Sequence, residues 1–256
     1  MHDEEPLSGG NASGSVSRVG DTVRKSWTPA TGGVHALMRH LREHGIDVAE
    51  PLGRDDEGRQ IIEFVPGTLA LHAAPFTHDH LRRVGAMVRS IHDASGLFSP
   101  PRDAVWETAI PAPGDELVCH NDLAPWNLVI GDRWVFIDWD AAAPSTRLWD
   151  LAYAAQAFTL SRVQVPPEDA ARDLRAFIDG YGADLWLRER LPDAMRDRAT
   201  AMLDLLATSH ARGREPWASM YAEGHGAHWT AAVDYVGAHM SVWLTALTQA
   251  SPDGDV

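Results

Sequence analysis

The sequence predicts an α+β fold with two lobes, a small one over residues 1–66 and a larger, mainly helical one over residues 67–256. Short strand patterns and one amphipathic helical pattern fill the first 65 residues. Pro66-Gly67 then interrupts the chain, and long helical patterns dominate the second half. A chain of 256 residues is long enough for two lobes that share a cleft.

The small lobe is expected to contain an antiparallel sheet and one helix. Strands are predicted at 16–19, 22–27, 48–52 and 60–65, the first two joined by a turn at Gly20-Asp21. Apolar residues at helical spacing from Val34 to Leu41 predict a helix that ends at Gly45. In the large lobe, Thr77 is expected to cap a helix, and further helices are predicted at about 150–160, 168–179, 193–210 and 226–249.

The composition narrows the classes of partner. Asp and Glu outnumber Lys and Arg by 36 to 22, a net charge of −14, so binding of nucleic acid through a basic face is not expected. The acidity either keeps the protein in solution or attracts a cationic small molecule. We find no signal peptide and no apolar run long enough to span a membrane, and Cys119 is the single cysteine. A cytoplasmic protein without an internal disulfide is therefore expected.

The densest group of polar residues lies between two apolar segments. His120, Asp122 and Asn127 fall within one short stretch, and Asp138 follows a hairpin predicted to turn at Gly131-Asp132. The hairpin would bring Asn127 and Asp138 together, as a pair of oxygen ligands that suits Mg²⁺. Asp122 could accept a proton from a substrate hydroxyl. This spacing is that of a kinase catalytic loop and metal-binding loop, and the alternative is a polar loop without catalysis.

The chain resembles the aminoglycoside phosphotransferase and choline kinase type of small-molecule kinase. The residues that carry the resemblance are His120-Asn-Asp-Leu-Ala-Pro-Trp-Asn127, Ile137-Asp-Trp-Asp140 and Asp150-Leu-Ala152. Asn121 stands where the family usually has Gly. The resemblance implies a protein-kinase-like fold and Mg²⁺-dependent transfer of phosphate from ATP or GTP to a small molecule.

The same resemblance implies roles for single residues. Asp122 would be the catalytic base, while Asn127 and Asp138 would hold Mg²⁺. His120 would brace the loop. Asp150 would anchor it, unless Asp150 is only a helix N-cap. The place of Asp140, near the metal or facing solvent, is left open.

The residues predicted to bind the nucleotide are supported by weaker sequence patterns than the loop at 120–138. Ser8 to Ser15 is either a phosphate-covering loop or a flexible segment, and Lys25 either pairs with phosphates or is solvated. The helix that should supply a Glu partner for Lys25 has His35 near the expected place and no Glu before Glu43. The backbone of Phe64 and Val65, between the lobes, is expected to bind the base.

Fewer signals describe the acceptor. Trp126 and Trp139 either wall its pocket or pack under the loop, and a zinc site at His225 and His228 is not expected. Acidic residues of the C-terminal helices would favour an aminated acceptor; the candidates are Asp204, Glu215, Glu223 and Asp234. An aminoglycoside-like or other antibiotic, an amino alcohol or a sugar metabolite fits the resemblance. The rival is a catalytically weak pseudokinase that binds a nucleotide or small molecule, favoured by the missing helix Glu.

Overall fold

A computed structural model describes residues 4–7 and 16–249 of the chain. The strands, in chain order, are β1 Glu4–Pro6, β2 Ser17–Val19, β3 Thr22–Lys25, β4 Pro51–Arg54, β5 Gln60–Glu63, β6 Thr68–Leu69, β7 Leu117–Cys119, β8 Leu128–Ile130, β9 Trp134–Phe136 and β10 Ala143–Ser145. The α-helices are α1 Thr31–Glu43, α2 His78–Ser95, α3 Arg147–Ala155, α4 Pro167–Tyr181, α5 Leu185–Arg212, α6 Trp217–Met220, α7 Gly226–Ala238 and α8 Met240–Thr248.

The structure has the predicted α+β composition, with an antiparallel sheet and one helix first and mainly helices after them. The first part of the chain forms an antiparallel sheet in the order β1-β2-β3-β5-β4, with α1 between β3 and β4. The apolar stripe of α1 is buried as its spacing predicts. β6 then pairs with β8 in a separate sheet, so the change from one sheet to the other falls around the predicted boundary at Pro66-Gly67.

Three local differences from the sequence prediction have physical reasons. β1 is an additional edge strand, held by an ion pair from Glu4 to Arg59, Oε1 to Nη1 at 2.6 Å, which the Gly- and Ser-rich sequence after it does not signal. α5 begins eight residues before the predicted start, because Pro192 lies inside the helix and proline normally argues for a helix boundary. The last predicted helix is divided at His239, where the backbone leaves helical geometry with φ −119°.

One buried core connects the two parts of the chain. Leu37 and Leu41 of α1 belong to the same apolar cluster as Val84 of α2, Phe136 of β9 and Phe177 of α4. The small sheet therefore rests on the helical lobe through α1. Residues near this junction, including the end of β3 and the turn after β9, can meet across it.

Over the described residues, no helix combines the length and apolar character needed to cross a bilayer.

Candidate active site

The loop after β7 carries Asp122 and Asn127 in direct contact. Nδ2 of Asn127 donates to Oδ2 of Asp122 at 2.7 Å and to the backbone oxygen of Asp122 at 2.9 Å. A short 3₁₀ turn, Pro125–Asn127, places the amide there. Because the bonds from Cγ to Nδ2 and to Oδ1 diverge, the contacts of Nδ2 with Asp122 leave the amide oxygen of Asn127 free to face another group. That oxygen is the atom of Asn127 with the chemistry to bind a metal.

The hairpin after this loop brings Asn127 beside Asp138. β8 and β9 pair with Leu128 opposite Phe136, and the backbone N–H of Ile137 donates to the oxygen of Asn127 at 2.8 Å. The predicted hairpin is therefore present, with three residues, 131–133, between the strands. Asp138 adopts the left-handed conformation, φ 63° and ψ 62°, which is uncommon outside Gly. The base of the hairpin thus collects an amide oxygen and a carboxylate, a donor set that fits Mg²⁺.

His120 lies under the loop rather than in an open cleft. Its side chain is fully buried, Nε2 contacts the oxygen of Ile137 at 3.1 Å, and Nδ1 is 3.3 Å from the backbone nitrogen of Asp122. The ring of Trp139 packs against it at 4.5 Å between centroids. This geometry agrees with a bracing position and gives His120 no path to a substrate.

Asn121 occupies the position where the family usually has Gly, and its backbone is left-handed with φ 63°. Nδ2 of Asn121 lies 3.2 Å from the oxygens of both Ala141 and Ala143. Its backbone N–H donates to Oδ1 of Asp150 at 2.8 Å. The N-cap of α3 is Thr146, so Asp150 contacts the loop instead of capping the helix. Asn121 and Asp150 therefore fasten the loop from two sides.

Lys25, at the end of β3, reaches the same place from the small sheet. Nζ is 2.5 Å from Oδ1 of Asp138 and 2.6 Å from Oδ2 of Asp140, and the residue is 8% exposed. Burial acts to lower the pKa of Lys25, but the charges of the two aspartates outweigh it and raise that pKa. Lys25 is the only lysine of the chain, a signal that the strand pattern alone does not reveal. It is paired, not solvated.

Two buried residues beside Asp122 were not anticipated from the sequence. Tyr153 of α3 acts to lower the pKa of Asp122, and the guanidinium of Arg198 of α5 lies 4.3 Å from the Tyr153 ring centroid. Burial raises the pKa of Asp122, while His120, Tyr153 and Asn127 oppose that rise. Tyr153 and Arg198 lie on helices where aromatic and basic residues are common, so their spacing carries no distinctive pattern.

In the segment expected to bind the base, Phe64 already contacts other residues of the protein. The backbone N–H of Phe64 donates to the oxygen of Asp21 at 2.9 Å, and the Arg18 guanidinium covers the Phe64 ring at 3.9 Å. The N–H of Phe64 therefore has a partner within the protein, and binding of the base by the backbone of Phe64 and Val65 stays a prediction. The carbonyl of Phe64 and the backbone of buried Val65 stay as predicted candidates. The predicted phosphate-covering loop, Ser8 to Ser15, lies outside the described residues.

The two tryptophans of the catalytic run have different environments. Trp139 is 2% exposed and donates Nε1 to the oxygen of Phe136 at 3.0 Å, so it packs under the loop. Trp126 is half-buried and meets the edge of Tyr153 at 6.4 Å, and Tyr153 stacks on Trp229 at 6.1 Å. Aromatic rings thus extend from Asp122 toward the C-terminal helices, which leaves Trp126 as the candidate wall of an acceptor pocket.

The four candidate acids for acceptor binding are all exposed; they are Asp204, Glu215, Glu223 and Asp234. Of these, Asp234 lines a hollow of about 570 Å³ with His210 and Tyr221. Tyr221 packs against the cluster that contains Tyr153 and Trp229. The hollow therefore borders the aromatic cluster beside Asp122 without reaching into the catalytic loop.

A second group of potential metal ligands lies in the core behind the loop. Donor atoms of His92, Cys119 and Asp150 lie within 4.8 Å of one another, and all three residues are buried. Asp150 is already hydrogen-bonded to His92, Oδ2 to Nε2 at 3.0 Å. Burial raises the pKa of the Cys119 thiol well above its ordinary value, which opposes the thiolate that a metal requires. We interpret this group as a hydrogen-bonded support of the loop.

Comparison with known sequences shows which proteins the chain resembles. The sequence model described as the phosphotransferase enzyme family matches residues 102–196, the segment that contains the loop after β7, the hairpin and α3. This match confirms the predicted resemblance and the predicted enzyme class, a phosphotransferase. The trifolitoxin immunity protein of Rhizobium leguminosarum bv. trifolii is 29% identical over an alignment of 244 positions, and the alignment covers 85% of this chain and 91% of that protein.

Solved structures share the fold at low sequence identity. An amicoumacin kinase in complex with AMP-PNP, Ca²⁺ and Ami superposes with a TM-score of 0.67 at 14% identity, covering 93% of this chain and 87% of that one. A choline/ethanolamine kinase family protein from Mesorhizobium loti gives a TM-score of 0.60 at 17% identity, covering 96% and 92%. These similarities confirm the kinase-like fold.

Proposed function

We propose that this protein transfers the γ-phosphate of ATP or GTP to a hydroxyl group of a small molecule, with Mg²⁺. The observation that carries the proposal is the convergence of Asp122, Asn127, Asp138 and Lys25, two of which meet across the junction between the lobes. A structural loop needs neither a partly buried carboxylate beside an amide nor a buried lysine aimed at a second carboxylate. Phosphoryl transfer needs all of them for positioning and for neutralisation of charge.

Asp122 would orient the acceptor hydroxyl and take its proton. The raised pKa of this partly buried carboxylate makes it a better base than an exposed aspartate, since proton affinity and pKa rise together. Asn127 fixes the carboxylate by its Nδ2 hydrogen bond. As the acceptor oxygen forms its bond to the γ-phosphorus, the bond from that phosphorus to the β-phosphate oxygen breaks, and Asp122 retains the proton.

The oxygen atoms of Asn127 and Asp138 would hold the metal. Their donor set is a hard amide oxygen and a hard carboxylate at the base of one hairpin, which fits Mg²⁺. When bound, Mg²⁺ supplies neutralisation of charge on the nucleotide phosphates. Lys25 would add a second positive charge from the small sheet. His120 and Asp150 would hold the loop in register, through contacts that do not touch the substrate.

The nucleotide base would lie near the carbonyl of Phe64 and the backbone of Val65, with residues 8–15 as the candidate cover for its phosphates. Since intracellular ATP and GTP are the co-substrates, we infer a cytoplasmic protein. The acceptor would approach past Trp126, with the net charge of −14 favouring a cationic compound. The curated relative is an immunity protein against trifolitoxin, which supports a toxic or antibiotic acceptor and a role in antibiotic resistance over an amino alcohol or sugar metabolite.

A transfer assay tests the proposal. The protein is incubated with γ-labelled ATP or GTP, Mg²⁺ and a panel of antibiotics, amino alcohols and sugars, and labelled product is separated from nucleotide. We expect at least one acceptor to be labelled by the wild type and not by Asp122→Ala. Nucleotide binding without transfer to any acceptor would instead favour the pseudokinase, which the missing helix Glu still supports.

Nucleotide contact has its own test, because Lys25 is the single lysine. An acyl-phosphate derivative of ATP acylates a lysine that lies beside the phosphates. We expect acylation at Lys25, located by peptide mass spectrometry and suppressed by excess MgATP or MgGTP. The N-terminal amine of the same molecule is the internal control, since MgATP should not protect it.

A further inference from the structure

The partner of Lys25 differs from the one that the family resemblance implies. Helix α1 offers His35 near the place of the expected Glu, and Lys25 instead contacts Asp138 and Asp140 from the other lobe. Asp138 is the proposed metal ligand, so it cannot remain the dedicated partner of Lys25 when a metal is bound. Asp140 has no assigned role in the proposed reaction, and its carboxylate lies at 2.6 Å from Nζ.

The geometry after β9 explains how two aspartates reach one ammonium group. The left-handed backbone of Asp138 is followed at once by a 3₁₀ turn, Trp139–Ala141. Trp139 points into the core and fixes this turn, being 2% exposed and hydrogen-bonded to Phe136. The side chains on either side of it, those of Asp138 and Asp140, both point toward Lys25.

A buried amide links Asp140 to the small lobe. Gln60 of β5 is the direct cross-strand partner of Lys25 in the antiparallel pair, so their side chains lie on the same face of the sheet. Nε2 of Gln60 lies 3.1 Å from the oxygen of Ser26 and 3.4 Å from Oδ1 of Asp140. Its Oε1 contacts Nε2 of His35 at 3.1 Å. The position expected for the helix Glu is thereby connected to Asp140 through Gln60.

We propose that Asp140, steadied by Gln60 and His35, is the positioning residue for Lys25 and replaces the missing helix Glu. The proposal rests on the proposed function, because it concerns how Lys25 is aimed at nucleotide phosphates. Lys25 has three N–H donors. When Asp138 binds the metal, Asp140 keeps one donor and the remaining donors face the phosphates. The ion pair that joins helix and strand in related kinases is thus rebuilt between the lobes.

Two substitutions separate this role from direct metal binding. Asp140→Asn keeps the shape of the side chain and removes its charge. Adding Gln60→Glu to that variant returns one carboxylate to the small sheet, beside Lys25 and on the other lobe from Asp138. The matched control is Asp56→Asn, the same change at an exposed aspartate. Thermal unfolding verifies that each variant folds. If the variant with Gln60→Glu does not fold, His35→Glu is used in its place to return a carboxylate to the small lobe.

The first readout is the dissociation constant for MgATP and MgGTP, without any acceptor. We expect Asp140→Asn to weaken binding by about tenfold, the loss of one charge-assisted hydrogen bond to the lysine. The added Gln60→Glu should restore most of the affinity, and where transfer is measurable, KM for the nucleotide should change more than kcat. A metal ligand would not be replaced from the small sheet, so absence of any restoration by either carboxylate overturns the proposal.

The second readout needs no nucleotide. Acetylation by a small amine-reactive reagent is followed at Lys25 by mass spectrometry, with the N-terminal amine as the internal reference. Asp140→Asn should accelerate acetylation at least about threefold, because a pairing carboxylate protects the amine, and the restored variant should return to the wild-type rate. An unchanged rate in Asp140→Asn contradicts the pairing. If the wild type binds neither nucleotide, the proposed function fails, while this rate still decides whether Asp140 holds Lys25.

Discussion

Asn121 holds the catalytic loop through a backbone conformation that few residues adopt, φ 63°, and through a buried side chain. Two substitutions separate these contributions. Asn121→Gly keeps the conformation accessible and deletes the side chain, whereas Asn121→Ala deletes most of the side chain and adds the strain of a left-handed Cβ. Both changes leave the backbone N–H that donates to Asp150 in place.

The expected magnitudes follow from the contacts. Nδ2 of Asn121 lies near three backbone oxygens, at 3.2 Å from those of Ala141 and Ala143 and 3.4 Å from that of Cys119, but it has two hydrogens to donate. Two lost hydrogen bonds of about 1 kcal/mol each predict a loss of about 2 kcal/mol for Asn121→Gly. The left-handed conformation costs Ala about a further 1 kcal/mol, so Asn121→Ala should lose about 3 kcal/mol.

Urea unfolding followed by tryptophan fluorescence measures these losses, and thermal unfolding gives an independent scale. For a chain of this size, each kcal/mol lowers Tm by roughly 2–4 °C. The ordering is the informative result, because at ordinary positions Ala is more stable than Gly. If Asn121→Ala proved as stable as Asn121→Gly, the left-handed strain would be absent and this reasoning would be refuted. If both matched the wild type, the side-chain hydrogen bonds would carry no stability.

Three further predictions concern aromatic side chains. Burial raises the pKa of Tyr181 to about 12, so the folded state keeps a proton that the unfolded state loses above about pH 10, and stability falls as pH rises. Tyr181→Phe should make that fall shallower by about 1.4 kcal/mol per pH unit between these values in urea titrations, and an unchanged slope would contradict it. Tyr153→Phe removes a donor that lowers the pKa of Asp122, so the acid limb of the kcat/KM profile should move to higher pH; a shift to lower pH would exclude the contact. Trp139→Ala should lower the free energy of unfolding by about 3–5 kcal/mol. Trp126→Ala should raise the KM of the acceptor with a smaller loss of stability. Equal losses of stability would contradict the assignment of Trp139 to packing and of Trp126 to the acceptor pocket.

The catalytic hairpin could be predicted from the sequence because its determinants are local. Short runs of apolar residues on both sides of the turn at Gly131-Asp132 predict two strands, and pairing of those strands brings Asn127 and Asp138 together. The helix of the small lobe was equally predictable, since its apolar stripe has helical spacing and is buried. The sequence pattern and the structure agree where a single helix or hairpin is determined by its own residues.

The ion pairs of Lys25 could not be predicted in the same way. Asp140 is 115 residues away along the chain, and its side chain reaches Nζ only because Trp139 fixes the intervening turn in the core. The hydrogen bond from the N–H of Phe64 to Asp21 is also a contact between distant segments, formed as β5 leaves the sheet. Such contacts depend on how elements pack, and neither spacing nor composition encodes them.

The central claim is tested most directly by comparing wild type and Asp122→Asn for two quantities, nucleotide affinity and the rate of γ-phosphate transfer to the acceptor. Asp122 contacts Asn127 and is assigned to the acceptor hydroxyl, so the substitution should leave the dissociation constant for Mg-nucleotide within about threefold. Loss of the base should lower the transfer rate by about 10²- to 10⁴-fold. Transfer by Asp122→Asn at the wild-type rate would contradict the assignment of Asp122 and with it the account of this site.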